Sequence, residues 1–128
     1  MSREAVSSPR APKAVGPYSQ GVKSRGGRTW YLSGQIPLDP ATGEMVAGPP
    51  AAQAKRCMEN LGAVLQAAGL TFEQVLRCTI YLTDLGAFGA VNEVYGQYFK
   101  DPPPARATVQ VAALPKGAAV EIDAIAEA

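Results

Sequence analysis

Two helical apolar stripes set among five strand-like segments constrain this chain most. In residues 51–68, Ala54, Cys57, Met58, Leu61, Val64, Leu65 and Ala68 recur at helical spacing, with Lys55, Arg56, Glu59, Asn60 and Gln66 assigned to the opposite face. A second stripe, Phe88, Val91, Tyr95 and Tyr98, runs within residues 87–99. Strand character falls on residues 18–22, 29–33, 75–82, 107–112 and 120–126. In the third of these, Leu76, Cys78, Ile80 and Leu82 form an apolar face that alternates with Val75, Arg77, Thr79 and Tyr81. The order is ββαβαββ, an α+β chain in which two helices cover only one face of a sheet. Val75, Val109 and Val111 then leave apolar positions on the other face, and a second copy of the chain is the simplest cover for it.

The punctuation agrees with this order. Ser24 to Arg28, with paired glycines, reads as a hairpin loop. Residues 34–50 carry Pro37, Pro40, Gly43, Gly48, Pro49 and Pro50, a density of breakers that predicts a structured loop. Gly69 stops the first helix, and Asp101 with Pro102, Pro103 and Pro104 stops the second. Gly62 beside the first stripe implies close approach to a sheet. Residues 1–14 read as a flexible, irregular arm, and 15–128 as one domain.

Composition removes whole classes of chemistry. The chain has no histidine, which excludes Ser-His-Asp and Cys-His nucleophile systems and the commonest zinc ligand. Cys57 and Cys78 have no ligand spacing and read as buried free thiols, which fits a reducing, cytoplasmic compartment. A net charge of +1 without a basic stripe argues against nucleic-acid binding. No apolar run reaches membrane-spanning length, so no membrane partner is expected. Any catalysis must use carboxylate, guanidinium, hydroxyl, backbone groups and water.

Two residues carry the strongest chemical pattern. Arg106 follows a stiff Pro102-Pro103-Pro104-Ala105 lead, which suits a preorganised bidentate carboxylate receptor. It is also readable as a surface arginine paired with a neighbouring acid. Glu121, inside the apolar run Ala118 to Ile122, could orient water or handle a proton, or simply face solvent. If the last two strands pair with Thr108 opposite Asp123, then Arg106 and Glu121 share a face; a slip of one residue separates them. Tyr18, Ser33 and Asn92 are further candidates, each also readable as a structural residue.

Several motifs in order resemble a known family. They are Gly16-Pro17-Tyr18-Ser19-Gln20, then Ser33-Gly34-Gln35-Ile36-Pro37 with Asp39-Pro40 and Thr42-Gly43, and Val91-Asn92 with Tyr95. Pro104-Ala105-Arg106, Leu114-Pro115-Lys116-Gly117 and Val120-Glu121-Ile122 complete the set. Together they resemble the Rid family of reactive intermediate deaminases, formerly called YjgF-like proteins, over nearly all the chain after the arm. Thr108 departs from the cysteine that many bacterial relatives carry there, so thiol regulation at that position is not expected.

The resemblance implies a chorismate-mutase-like fold of the bacillus type, a mixed sheet with two helices packed on one face. It implies a cytoplasmic homotrimer with sites between subunits. The implied reaction is hydrolysis of 2-imino and enamine acids, such as 2-iminopropanoate and 2-iminobutanoate, to 2-keto acids and ammonia. It implies no cofactor and no metal. Arg106 matches the arginine that grips the substrate carboxylate, Glu121 the acid near the reacting water, and Tyr18, Ser33 and Asn92 other substrate-binding positions. Such chemistry suits a chain without histidine, because an imine carbon is already electrophilic and needs an oriented water rather than a covalent nucleophile. The alternative is a trimer of the same family that binds metabolites without turnover, or acts as a chaperone or translation inhibitor.

Overall fold

The computed structural model describes residues 3–128. Six strands form one sheet: β1 (Glu4–Val6), β2 (Gly21–Lys23), β3 (Thr29–Gln35), β4 (Val75–Leu82), β5 (Ala105–Gln110) and β6 (Val120–Glu127). Two helices, α1 (Pro50–Ala67) and α2 (Phe88–Gly96), complete the fold. The strands lie in the order β1-β2-β3-β6-β4-β5. All pairs are antiparallel except β4 with β5, so the sheet is mixed.

β6 alternates cleanly. Val120, Ile122, Ala124 and Ala126 are buried under the helices, while Glu121, Asp123 and Ile125 face the other way. α1 lays Ala54, Cys57, Met58, Leu61 and Leu65 on this surface, and Val91 and Tyr95 of α2 join them. The end of α1 follows from Gly69, whose φ of 78° lets Leu70 N–H reach the Leu65 carbonyl at 2.9 Å and Gly69 N–H the Gln66 carbonyl at 3.0 Å.

Several expectations are corrected by packing. The segment read as an irregular arm supplies edge strand β1, and Ser8 and Ala11 beyond it are buried; Met1 and Ser2 lie outside the described residues. The order is therefore βββαβαββ. Asn60, assigned to the polar face of α1, is fully buried: its amide donates to the Ile36 and Leu38 carbonyls at 3.3 and 3.0 Å, which pins the long loop to the helix. Gly62 approaches a ring rather than the sheet, since a Cβ there would sit 3.1 Å from Phe72. A register shift between Val75 and Arg77 turns Val75 into the core and leaves Leu76 51% exposed, so the apolar face of β4 begins at Cys78.

The largest correction concerns the last two strands, which do not pair. β6 inserts between β3 and β4, and β5 runs parallel to β4 as the edge strand. No helix among the described residues is long and apolar enough to cross a membrane.

Candidate functional site

Register decides where the candidate residues point. Arg106 pairs with Cys78, whose side chain is buried on the helix side. The guanidinium accordingly lies over α2, with its carbon 5.3 Å from the Phe88 ring centre and 5.1 Å from that of Tyr95. Nη1 donates to Asn92 Oδ1 at 2.6 Å. Phe88, Asn92 and Tyr95 recur along one face of α2, so the helix supplies a platform and an orienting amide. Among the described residues no carboxylate forms an ion pair with Arg106. The remaining guanidinium donors are thus presented at an exposed edge with their charge uncompensated.

The floor around this arginine is chemically quiet. Burial pushes the Cys78 thiol up to about 11, so it stays protonated. The Tyr95 phenol is also raised, first by burial. The hydroxyls of Tyr95 and Thr108 are buried and have no hydrogen-bond partner among the described residues.

Glu121 lies elsewhere. It pairs with Tyr81 of β4, on the face away from the helices. The register of β3 against β6 shifts between Leu32 and Gln35, and the Glu121 carboxylate lies directly over Gly34 in that bulge. A Cβ at Gly34 would overlap Glu121 Oε2 and approach its carboxyl carbon to 3.0 Å. Only glycine leaves this space. Glu121 is half-buried, and burial, followed by the nearby Asp123 charge, raises its pKa above the ordinary carboxylate range. Asp123 itself accepts the Tyr81 hydroxyl at 3.0 Å and the Thr79 N–H at 3.1 Å.

Ser33 precedes Gly34 in the bulge. Its hydroxyl donates to the Ser19 carbonyl at 2.6 Å, which joins β3 to the segment bearing Tyr18. Tyr18 is 49% exposed. The five sequence candidates therefore fall into two groups. Arg106 and Asn92 meet at the β5–α2 edge. Glu121 and Ser33, with the Tyr18 segment tied to Ser33, gather on the other side of the sheet. Sequence reasoning took Phe88 and Tyr95 as core stripe only, and it gave Gly34 no role. The spacing from Phe88 through Asn92 to Tyr95 was the available signal for the platform; nothing local marked Gly34.

Comparison with known proteins gives a consistent result. Residues 8–128 match the family described as Endoribonuclease L-PSP. The chain is 67% identical over 126 residues to Protein DfrA of Myxococcus xanthus, covering 98% of this chain and 96% of that protein. It is 50% identical over 126 residues to the human protein named 2-iminobutanoate/2-iminopropanoate deaminase, covering 98% and 90% respectively. The crystal structure of RidA from the Antarctic bacterium Psychrobacter superposes with a TM-score of 0.93 at 46% identity, covering 98% of this chain and all of that one. The mixed sheet with both helices on one face is thus the chorismate-mutase-like α+β architecture that the motifs implied. The match over nearly the whole length and the shared fold make the chain a member of the Rid (YjgF-like) family.

Proposed function

We propose that this chain hydrolyses reactive 2-imino and enamine acids, among them 2-iminopropanoate and 2-iminobutanoate, to 2-keto acids and ammonia. The observation that carries the reading is the Arg106 guanidinium, stacked on Phe88 and Tyr95, oriented by Asn92 and left without a carboxylate partner among the described residues. A substrate carboxylate fits that role through paired charge-assisted hydrogen bonds. The 50% identity to proteins named for this activity supports the same reading.

The chemistry asks little more of the protein. An enamine first takes a proton on its β-carbon and gives one up from its nitrogen to become the imine. Water then adds its oxygen to the imine carbon as nitrogen gains a proton, and the resulting carbinolamine collapses to a ketone and ammonia. Glu121 positions the water and moves the protons. Its raised pKa brings it closer to neutrality, where one group serves better as both acceptor and donor.

Within one protomer Arg106 and Glu121 stand on opposite faces of the sheet, which supports a site completed by a neighbouring copy. The exposed Tyr31 and Val109 on the face opposite the helices support burial of that face in an assembly. A homotrimer with three intersubunit sites, each substrate spanning Arg106 and Asn92 of one copy and Tyr18, Ser33 and Glu121 of the next, is the arrangement proposed. Free buried Cys57 and Cys78 fit a cytoplasmic setting.

The direct test generates imines in situ with an amino-acid oxidase and follows keto-acid and ammonia release. Wild-type protein accelerates release, and Arg106→Ala does not. No acceleration across several imines would leave a metabolite-binding trimer as the better reading.

A further inference from the structure

Gln20 belongs to neither group of candidate residues, yet its side chain is among the most fully engaged polar groups in the fold. It is 5% exposed. Its Oε1 accepts the Ser8 N–H at 2.6 Å. Its Nε2 faces the carbonyls of Pro12 at 2.7 Å, Ser8 at 3.2 Å and Ala11 at 3.3 Å. An amide has only two hydrogens, so the short Pro12 contact takes one and the other two carbonyls share the second.

Every one of these partners lies in residues 8–12. The backbone of the same residue reaches the other way: the Gln20 carbonyl accepts the Ser33 N–H at 2.9 Å, and the preceding Ser19 carbonyl accepts the Ser33 hydroxyl at 2.6 Å. One residue therefore joins the N-terminal segment, the Tyr18–Ser19 segment and the β3 bulge, where Gly34 makes room for Glu121. Tyr18, two residues upstream, is 49% exposed, so little packing of its own fixes its placement.

We infer that Gln20 is a positioning residue: its buried amide locks residues 8–12 against the Tyr18–Ser19 segment and so sets Tyr18 and Ser33 relative to Glu121. The inference rests on the proposed reading of Tyr18 and Ser33 as site residues. It also gives residues 8–12 a part in building the site.

The amide must donate and accept from one side chain, and this makes Gln20→Glu diagnostic. The variant keeps the shape and the acceptor for Ser8 N–H but turns an oxygen toward three carbonyls. Ionised, it is repelled; protonated, it donates again, and burial among carbonyls raises its pKa. Its kcat/KM relative to wild type at the same pH falls on the order of tenfold or more at neutral and alkaline pH, as expected for a site displaced by about an ångström. The ratio recovers toward one as pH falls. A purely structural role would lower the melting temperature and leave the ratio of the folded protein flat.

Ser8→Pro removes the other half of the lock, the hydrogen bond from Ser8 N–H to Gln20 Oε1, with Gln20 intact, and serves where Gln20→Glu fails to fold. It lowers kcat/KM at every pH without recovery. Tyr18→Phe and Ser33→Ala are measured alongside. If either of these is impaired while folded Gln20→Glu and Ser8→Pro match wild type at every pH, the positioning role is overturned and the site reading stands. If Tyr18→Phe and Ser33→Ala both match wild type, the site reading fails and the inference goes with it.

Discussion

Arg106 and Glu121 face opposite sides of the sheet, held there by one shared neighbour. β4 pairs with both their strands, placing Arg106 beside the inward Cys78 and Glu121 beside the outward Tyr81. Two strand spacings, roughly 10 Å, and the thickness of the sheet separate them. If substrate needs both, the two must come from different copies. Mixing Arg106→Ala with Glu121→Gln, each inactive alone, then restores roughly a quarter of wild-type activity after subunit exchange, because random mixed trimers hold one intact site in three. Light scattering on the same samples should return the trimer mass. No recovery in verified mixed trimers would place both residues of a site on one chain.

Asn92 tests the electrostatics of the anchor. Its Oδ1 accepts from Arg106 Nη1 at 2.6 Å. Asn92→Ala loosens the guanidinium and raises KM about tenfold. Asn92→Asp supplies a fixed counter-charge that competes with the substrate carboxylate, so it impairs binding more than alanine does. Steady-state kinetics on both variants, with circular dichroism as a control on folding, decide the order.

Gly34→Ala reports on the placement of Glu121. The added methyl overlaps the carboxylate, so the side chain must rotate away. The expected result is a fall in kcat on the order of tenfold to a hundredfold with KM changed less, since the anchor is untouched. Equal kcat in wild type and variant would separate Glu121 from the reacting water.

Glu121 also shapes stability. Its pKa is raised in the folded chain, so between the ordinary value of 4.5 and the raised one the folded state binds more protons than the unfolded state. Stability therefore falls as pH rises through that window. Glu121→Gln flattens this slope and matches or exceeds wild-type stability at neutral pH while losing activity. Thermal melts from pH 4 to pH 8 on both proteins check the sign.

Apart from β1, which lies in the segment read as an arm, the elements were plain in the sequence, because helix stripes, strand alternation and the proline and glycine breaks are local signals. Hairpin 24–28, the stop at Gly69 and the long loop 34–50 all follow from them. Strand pairing was not legible, since nothing in residues 105–127 says that β6 enters the middle of the sheet while β5 takes the edge. The split of the candidate residues between two faces depended on that pairing. Asn60 misled for a related reason: its partners, the Ile36 and Leu38 carbonyls, lie over twenty residues away in sequence. The motifs named the candidate residues through resemblance; their division between two faces needed coordinates.

The placement of β6 has a consequence for how the protein is born. The strand nearest the C-terminus lies between β3 and β4, and without it the sheet is two fragments that share no ladder. A chain emerging from the ribosome cannot close its core until residues 120–127 are free. Until then Leu32, Ile80 and Leu82 have no central strand beside them. Folding must wait for that strand and then run nearly all at once.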